Sequence, residues 1–121
     1  MGNTYFDTSR FSKAIRAYTK YDEIQPGNAN VLTDLGVMYR RNGQPQEALA
    51  TFEKAMSADP RHELSRFNKA IVLMYDLGDI PGAIAAWEEQ LKINPAAVAG
   101  NGSSISEFVA NAKAQLTGAG K

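Results

Sequence analysis

Set against itself at an offset of 34 residues, the sequence repeats: Gly2 falls on Gly36, Tyr5 on Tyr39, Ala14 on Ala48, Tyr18 on Phe52, Pro26 on Pro60 and Gly36 on Ala70. Matches at one fixed step mean that the chain is built from copies of one supersecondary unit, each too small to bury its apolar side alone, so that neighbours must stack. The next step is one residue longer, because Ala48 to Ala83, Phe52 to Trp87 and Pro60 to Pro95 are each 35 apart. The extra residue is expected in the loop near Leu77 to Asp79.

Each unit reads as two helices joined by a turn. The middle one runs from about Ala29 to Asn42, breaks at "NGQP", resumes at Pro45 and closes with "ADP" at 58–60. Pro45 is tolerated because the first turn of a helix has no intrahelical use for that N–H. At 100° per residue Leu32, Leu35, Gly36 and Tyr39 share one side of the first helix. Glycine inside a helix costs about 1 kcal/mol relative to alanine. Its place in the middle of that stripe is explained by close approach of a neighbouring helix, with Ala48 and Ala55 as low points on the other side.

This pattern resembles the tetratricopeptide repeat. "LTDLGVMY" supplies the Leu-x-x-Leu-Gly-x-x-Tyr half, and Ala48, Phe52, Ala55 and Pro60 follow at the family's spacing, with Leu32 in place of the frequent leading tryptophan. The third unit keeps Ala70, Leu73, Ala83, Trp87 and Pro95 but has Arg66, Lys69 and Gln90 where apolar residues or alanine are usual. The first lacks the opening turn or two of its first helix. The resemblance implies an all-α fold, a helical-repeat solenoid in which antiparallel helix pairs wind into a right-handed superhelix. Its expected parts are a truncated first repeat at about 1–28, a second at 29–62 and a third at 63–95.

Beyond residue 95 the small-residue stretch "PAAVAGNGSS" reads as a linker over 96–103, and Ser104 with Glu107 forms a capping box that opens a helix over 104–117. Ile105, Phe108, Val109, Ala112 and Leu116 make its apolar face. A solenoid needs a last helix to cover its open end, so this one is expected to be a C-terminal capping helix. Fully extended, eight linker residues reach about 25 Å, which leaves the groove or a second chain as other places for it.

Composition removes several classes of function. Thirteen basic side chains balance thirteen acidic ones, so no net field draws the chain to nucleic acid or to a membrane surface. There is no cysteine, hence no disulfide framework. No apolar run approaches the roughly 20 residues that span a bilayer. His62 is the only histidine and reads as a turn residue, so no metal and no cofactor is expected. Asp76 and Asp79 around Gly78 read as a helix stop and an N-cap. Asn101-Gly102-Ser103 fits a glycosylation sequon, a pattern frequent by chance. No nucleophile, base and orienting group come together, and a non-enzyme is expected.

Function then belongs to surfaces. The resemblance implies a concave groove lined by first helices, and places in it Asn30, Thr33, Val37, Arg40 and Arg41 from the second repeat. From the third it places Leu64, Phe67, Ile71, Met74 and Tyr75 there, and from the first Asn3 and Phe6. Independently of any family, Leu64, Phe67, Ile71 and Met74 lie on one side of their helix while Arg66 and Lys69 occupy the other. A stripe of that size calls for a cover, whether a partner peptide, the tail helix or a second copy. Arg40 and Arg41 suit the end of a helix dipole and would favour a carboxylate-bearing ligand. Asp34, Leu64 and Asn68 stand where the family's clamp for chaperone C-terminal carboxylates has asparagine, lysine and arginine, which speaks against that ligand. The expected function is a protein–protein interaction adaptor that holds a peptide or partner segment in the groove. The alternatives are a self-associating module, joined through the groove or the short first helix, and the soluble interaction segment, cytoplasmic or periplasmic, of a membrane-anchored bacterial envelope protein. If Phe67 lines the groove, Phe67→Glu keeps the helical signal and loses binding; if it is core, the protein unfolds.

Overall fold

The computed structural model describes the backbone of residues 2–99 and 102–117, and side chains from residue 10 onward within those ranges. Six α-helices make up these residues: α1 (Gly2–Ile24), α2 (Ala29–Arg41), α3 (Pro45–Ala58), α4 (Glu63–Ile71), α5 (Ile80–Ile93) and α6 (Ile105–Leu116), with a π-helical turn at Val72–Asp76. The chain forms two compact units, Met1–Ser65 and Arg66–Lys121.

In the first unit α1 packs on α2 and α2 on α3. Leu32, Leu35 and Gly36 from α2 meet Ala48, Phe52 and Ala55 from α3, and all six are buried. A Cβ on Gly36 would strike the Phe52 ring, lying 2.7 Å from Cδ1 and 2.9 Å from Cζ. Close approach is therefore the physical reason for the glycine, and the aromatic ring fills the space its missing side chain leaves. The threonines at this depth satisfy their hydroxyls locally: Thr33 Oγ1 donates to the Ala29 carbonyl at 2.7 Å and Thr51 Oγ1 to that of Glu47 at 2.8 Å. Asn28 caps α2, its Oδ1 accepting from the Val31 N–H at 3.1 Å, and Pro45 stands in the first turn of α3.

Two features depart from the repeat pattern. The first is α1, one uninterrupted helix of 23 residues where two helices and a turn are expected. The residues 34 before the breaking "NGQP" are Thr8, Ser9, Arg10 and Phe11; with neither glycine nor proline there, nothing stops the helix. The second is the site of the extra residue. Gly43 and Gly78 both adopt left-handed backbone at the ends of their helices, with φ of +78° and +69°, and they are 35 apart. The insertion therefore precedes Gly78 and does not sit in the loop. It widens the helix instead: the Leu77 N–H reaches the Val72 carbonyl, five residues back, at 3.0 Å, and Asp79 reaches Leu73 at 2.7 Å. A π-turn is the usual way a helix absorbs one residue.

In the second unit the π-turn packs on α5 and α5 on α6. Val72, Leu73 and Met74 are consecutive and all buried, a run that a regular one-sided helix does not produce. Asp79 caps α5 through Gly82 N–H at 3.0 Å, and Ser104 caps α6 through Glu107 N–H at 3.2 Å. The linker is not extended. Val98 pairs with Ser104 in an antiparallel bridge, Ala99 N–H donates to Ser103 O at 2.8 Å, and Ile105 N–H to the carbonyl of the buried Ala97 at 3.0 Å. This fold-back lays α6 against α5, with Ile105, Val109 and Ala112 buried. Asn101 lies outside the described residues.

Gly36→Leu is expected to destabilise the first unit by about 3 kcal/mol through overpacking. Chemical denaturation should show the loss, and Phe52→Ala, by vacating the ring's space, should recover part of it in the double variant.

Candidate partner-binding surfaces

α2 carries its buried residues toward α1 and α3, and its remaining positions form a polar side. Asn30, Asp34 and Arg41 are exposed; Val37 and Arg40 are half-buried. Thr33 is a correction to the expected set: at 1% exposure, with its hydroxyl already donated within the helix, it has nothing to offer a ligand.

Asn30 is held in place by a residue that reads, from sequence alone, as a bystander in a turn. Its Oδ1 lies 2.8 Å from His62 Nε2, and His62 Nδ1 lies 2.9 Å from Ser65 Oγ and accepts from the Ser65 N–H at 3.3 Å. An imidazole that accepts at Nδ1 carries its proton on Nε2, so Nε2 donates to Asn30. His62 thus caps α4 as an aspartate or serine would, and ties that cap to the start of α2. The sequence signal for this is its position, immediately before a helix with serine three residues on.

Leu64, at the start of α4, is exposed. Within the second unit, Tyr75 is exposed and Ile71 half-buried, while Met74 is buried. Met74 is a second correction. The π-turn changes the helical phase after Ile71, turning residue 74 inward and residue 75 out.

Phe67 is a third. Its ring centroid lies 5.6 Å from that of Phe108 in a T-shaped arrangement and 6.5 Å from that of Trp87, and Trp87 and Phe108 are 5.3 Å apart. Three rings at these separations form an aromatic cluster, in which Trp87 is buried and Phe67 and Phe108 are half-buried against it. The cover that the apolar stripe called for at this position is the tail helix. Beside it, Arg66 places Nε 3.8 Å from Glu89 Oε1 with its side chain 11% exposed, which shows how the third repeat carries a cation at an ordinarily apolar position. The side chains of Asn3 and Phe6 lie outside the described residues.

Among the described residues no group of three or more His, Asp or Glu could hold a metal ion, and no helix is long and apolar enough to cross a membrane. These surfaces carry amide, guanidinium, carboxylate, aliphatic and phenol groups on helices.

Comparison with known proteins gives the same architecture. A family model for the tetratricopeptide repeat matches residues 29–62. The chain is 32% identical over 95 residues to anaphase-promoting complex subunit 3 of Schizosaccharomyces pombe, covering 78% of this chain and 14% of that protein. It is 29% identical over 103 residues to the heat-shock protein cognate co-chaperone sgt12 of Aspergillus fumigatus, covering 85% of this chain and 28% of that one. The crystal structure of the Sgt2 TPR domain from Aspergillus fumigatus superposes with a TM-score of 0.76 at 26% identity, over 98% of this chain and 76% of that one. The chain thus spans less than a third of the length of these two curated relatives.

Phe108→Ala is expected to destabilise the second unit by about 2 kcal/mol by emptying one corner of the aromatic cluster, and Phe67→Glu to unfold that unit. Trp87 fluorescence on thermal unfolding reports both. His62→Ala, which removes a cap and a hydrogen bond, should cost about 1 kcal/mol, seen as a lowered Tm.

Proposed function

The chain belongs to the tetratricopeptide-repeat family, and from that premise we propose that it works as a protein–protein interaction adaptor, holding a polypeptide against the exposed sides of its repeats' first helices. One observation carries the reading. After each unit has closed its core, Leu64 in the first stays 54% exposed and Tyr75 in the second 61%. Exposed apolar side chains held on rigid helices favour binding, since little conformational freedom is lost when a ligand covers them.

On α2 the same role falls to Asn30, Val37, Arg40 and Arg41. Asn30 is pre-oriented by His62, and the two arginines at the helix end attract carboxylates. The exposed Asp34 adds a negative charge to this side, which favours a ligand of mixed charge over a wholly acidic tail. Sgt12 is named as a chaperone partner; here the expected clamp residues are replaced by Asp34, Leu64 and Asn68, and the partner we propose is a peptide or protein segment of mixed charge with apolar anchors.

Tyr75→Ser and Arg41→Glu lie on exposed surface and are expected to keep Tm close to that of the wild type. Each should weaken capture of a partner by tenfold or more, read by affinity capture side by side with the wild type and quantified on the partner it identifies. Binding that is unaffected by both would overturn the assignment of these surfaces.

A further inference from the structure

α1 presents a face that its counterpart in the next repeat has closed. One step of 34 carries Ala14, Ala17, Tyr18 and Tyr21 onto Ala48, Thr51, Phe52 and Ala55, and those four are all buried. On α1, Ala14 and Tyr18 are half-buried, but Ala17 and Tyr21 are exposed, Tyr21 at 45%. Ile24, 68% exposed, extends the strip by one turn. At helical spacing, Ala17, Tyr21 and Ile24 line one ridge.

The border of this ridge is charged. Lys13 and Lys20 run along one edge with Arg16 beyond them, all exposed, and Glu23 is the exposed carboxylate farther round the same side. The residues 34 after Lys13, Arg16 and Lys20 are Glu47, Ala50 and Lys54, so Lys13 and Arg16 make this edge more basic than its counterpart on α3, while Lys20 is shared with it.

We propose that the ridge docks an acidic amphipathic α-helix belonging to another polypeptide, which lies on α1 as α2 lies on α3. The internal symmetry specifies a helix. The face of α3 that corresponds to the ridge is closed within a helix pair, where Gly36 admits the Phe52 ring, and an incoming helix with glycine or alanine opposite Tyr18 and Tyr21 would meet the same need. The basic edge specifies acidic flanks on that helix. A second copy docking through the same ridge would bring Lys13, Arg16 and Lys20 of both chains together, and like charge opposes that pairing. This surface is distinct from those on α2 and α4, so the proposal stands or falls independently of the function proposed above.

The test uses the whole chain and a defined probe: a fluorescent, helix-stapled peptide with the sequence of residues 29–41 carrying Asn30→Glu, Arg40→Glu and Arg41→Glu. It keeps the Leu32, Leu35, Gly36 and Tyr39 pattern. Fluorescence anisotropy should show saturable binding that weakens at least tenfold in the Tyr21→Glu chain and in the Lys13→Glu/Lys20→Glu chain, that falls with added salt, and that is lost when the peptide carries Gly36→Leu. Circular dichroism melts check that the variants stay folded. The charge-reversal pair alone decides the matter if Tyr21→Glu does not. Absence of saturable binding to the wild type, or binding unchanged in the charge-reversed chain, overturns the proposal. So does a wild-type dimer in sedimentation that Tyr21→Glu dissociates, since a second copy would then occupy the ridge.

Discussion

The contact between Gly36 and the Phe52 ring is the constraint on which the first unit depends. Helices with ordinary side chains pack with axes 8–10 Å apart. Here an absent side chain lets an aromatic ring press against the backbone of α2, and the pair buries Leu32, Leu35, Ala48 and Ala55 around that point. Because this core is confined to one side of each helix, the opposite sides are left for other uses. The polar side of α2, with Asn30, Val37 and Arg41, exists because the apolar side is fully committed. The interaction role proposed above rests on that division of labour within each helix.

The second unit solves the same problem with different residues. Ala70 replaces the glycine, Trp87 replaces the phenylalanine, and Arg66 and Gln90 occupy positions that are apolar or small in the second repeat. The unit compensates by recruiting the tail: Phe108 closes a three-ring cluster with Trp87 and Phe67, and Ile105, Val109 and Ala112 are buried as α6 packs on α5. Burying Ile105 and Val109 is worth about 1.5–3 kcal/mol each. The tail helix is therefore part of this unit's core. The same packing is why Phe67, which reads as a groove residue by position, has become structural.

Much of this architecture is legible without coordinates. The 34-residue step, the break at "NGQP", the N-cap at Asp79 and the apolar stripe of α2 are local or periodic signals, and each arises from helix geometry and capping chemistry. The proposed binding surface is less legible. Asn30 and Arg41 are exposed and Val37 and Arg40 half-buried, while Thr33 turns inward. Met74 does so as well, because one inserted residue is absorbed as a π-turn and rotates the rest of the helix. His62 illustrates the opposite error. Taken alone it is a histidine in a turn, and its link to Asn30, 32 residues away, has no sequence signature.

By itself, then, the sequence determined the repeat, the helices and their buried stripes, since periodicity and end-capping act within a few residues along the chain. Only tertiary structure decided where the extra residue went, that a ridge on α1 stays open, and that the tail folds back to cover Phe67. Each of those outcomes is a competition between ways of covering the same apolar surface, and the winner depends on which side chains meet across space. Periodicity says which face of a helix must be covered; it carries no information about what does the covering.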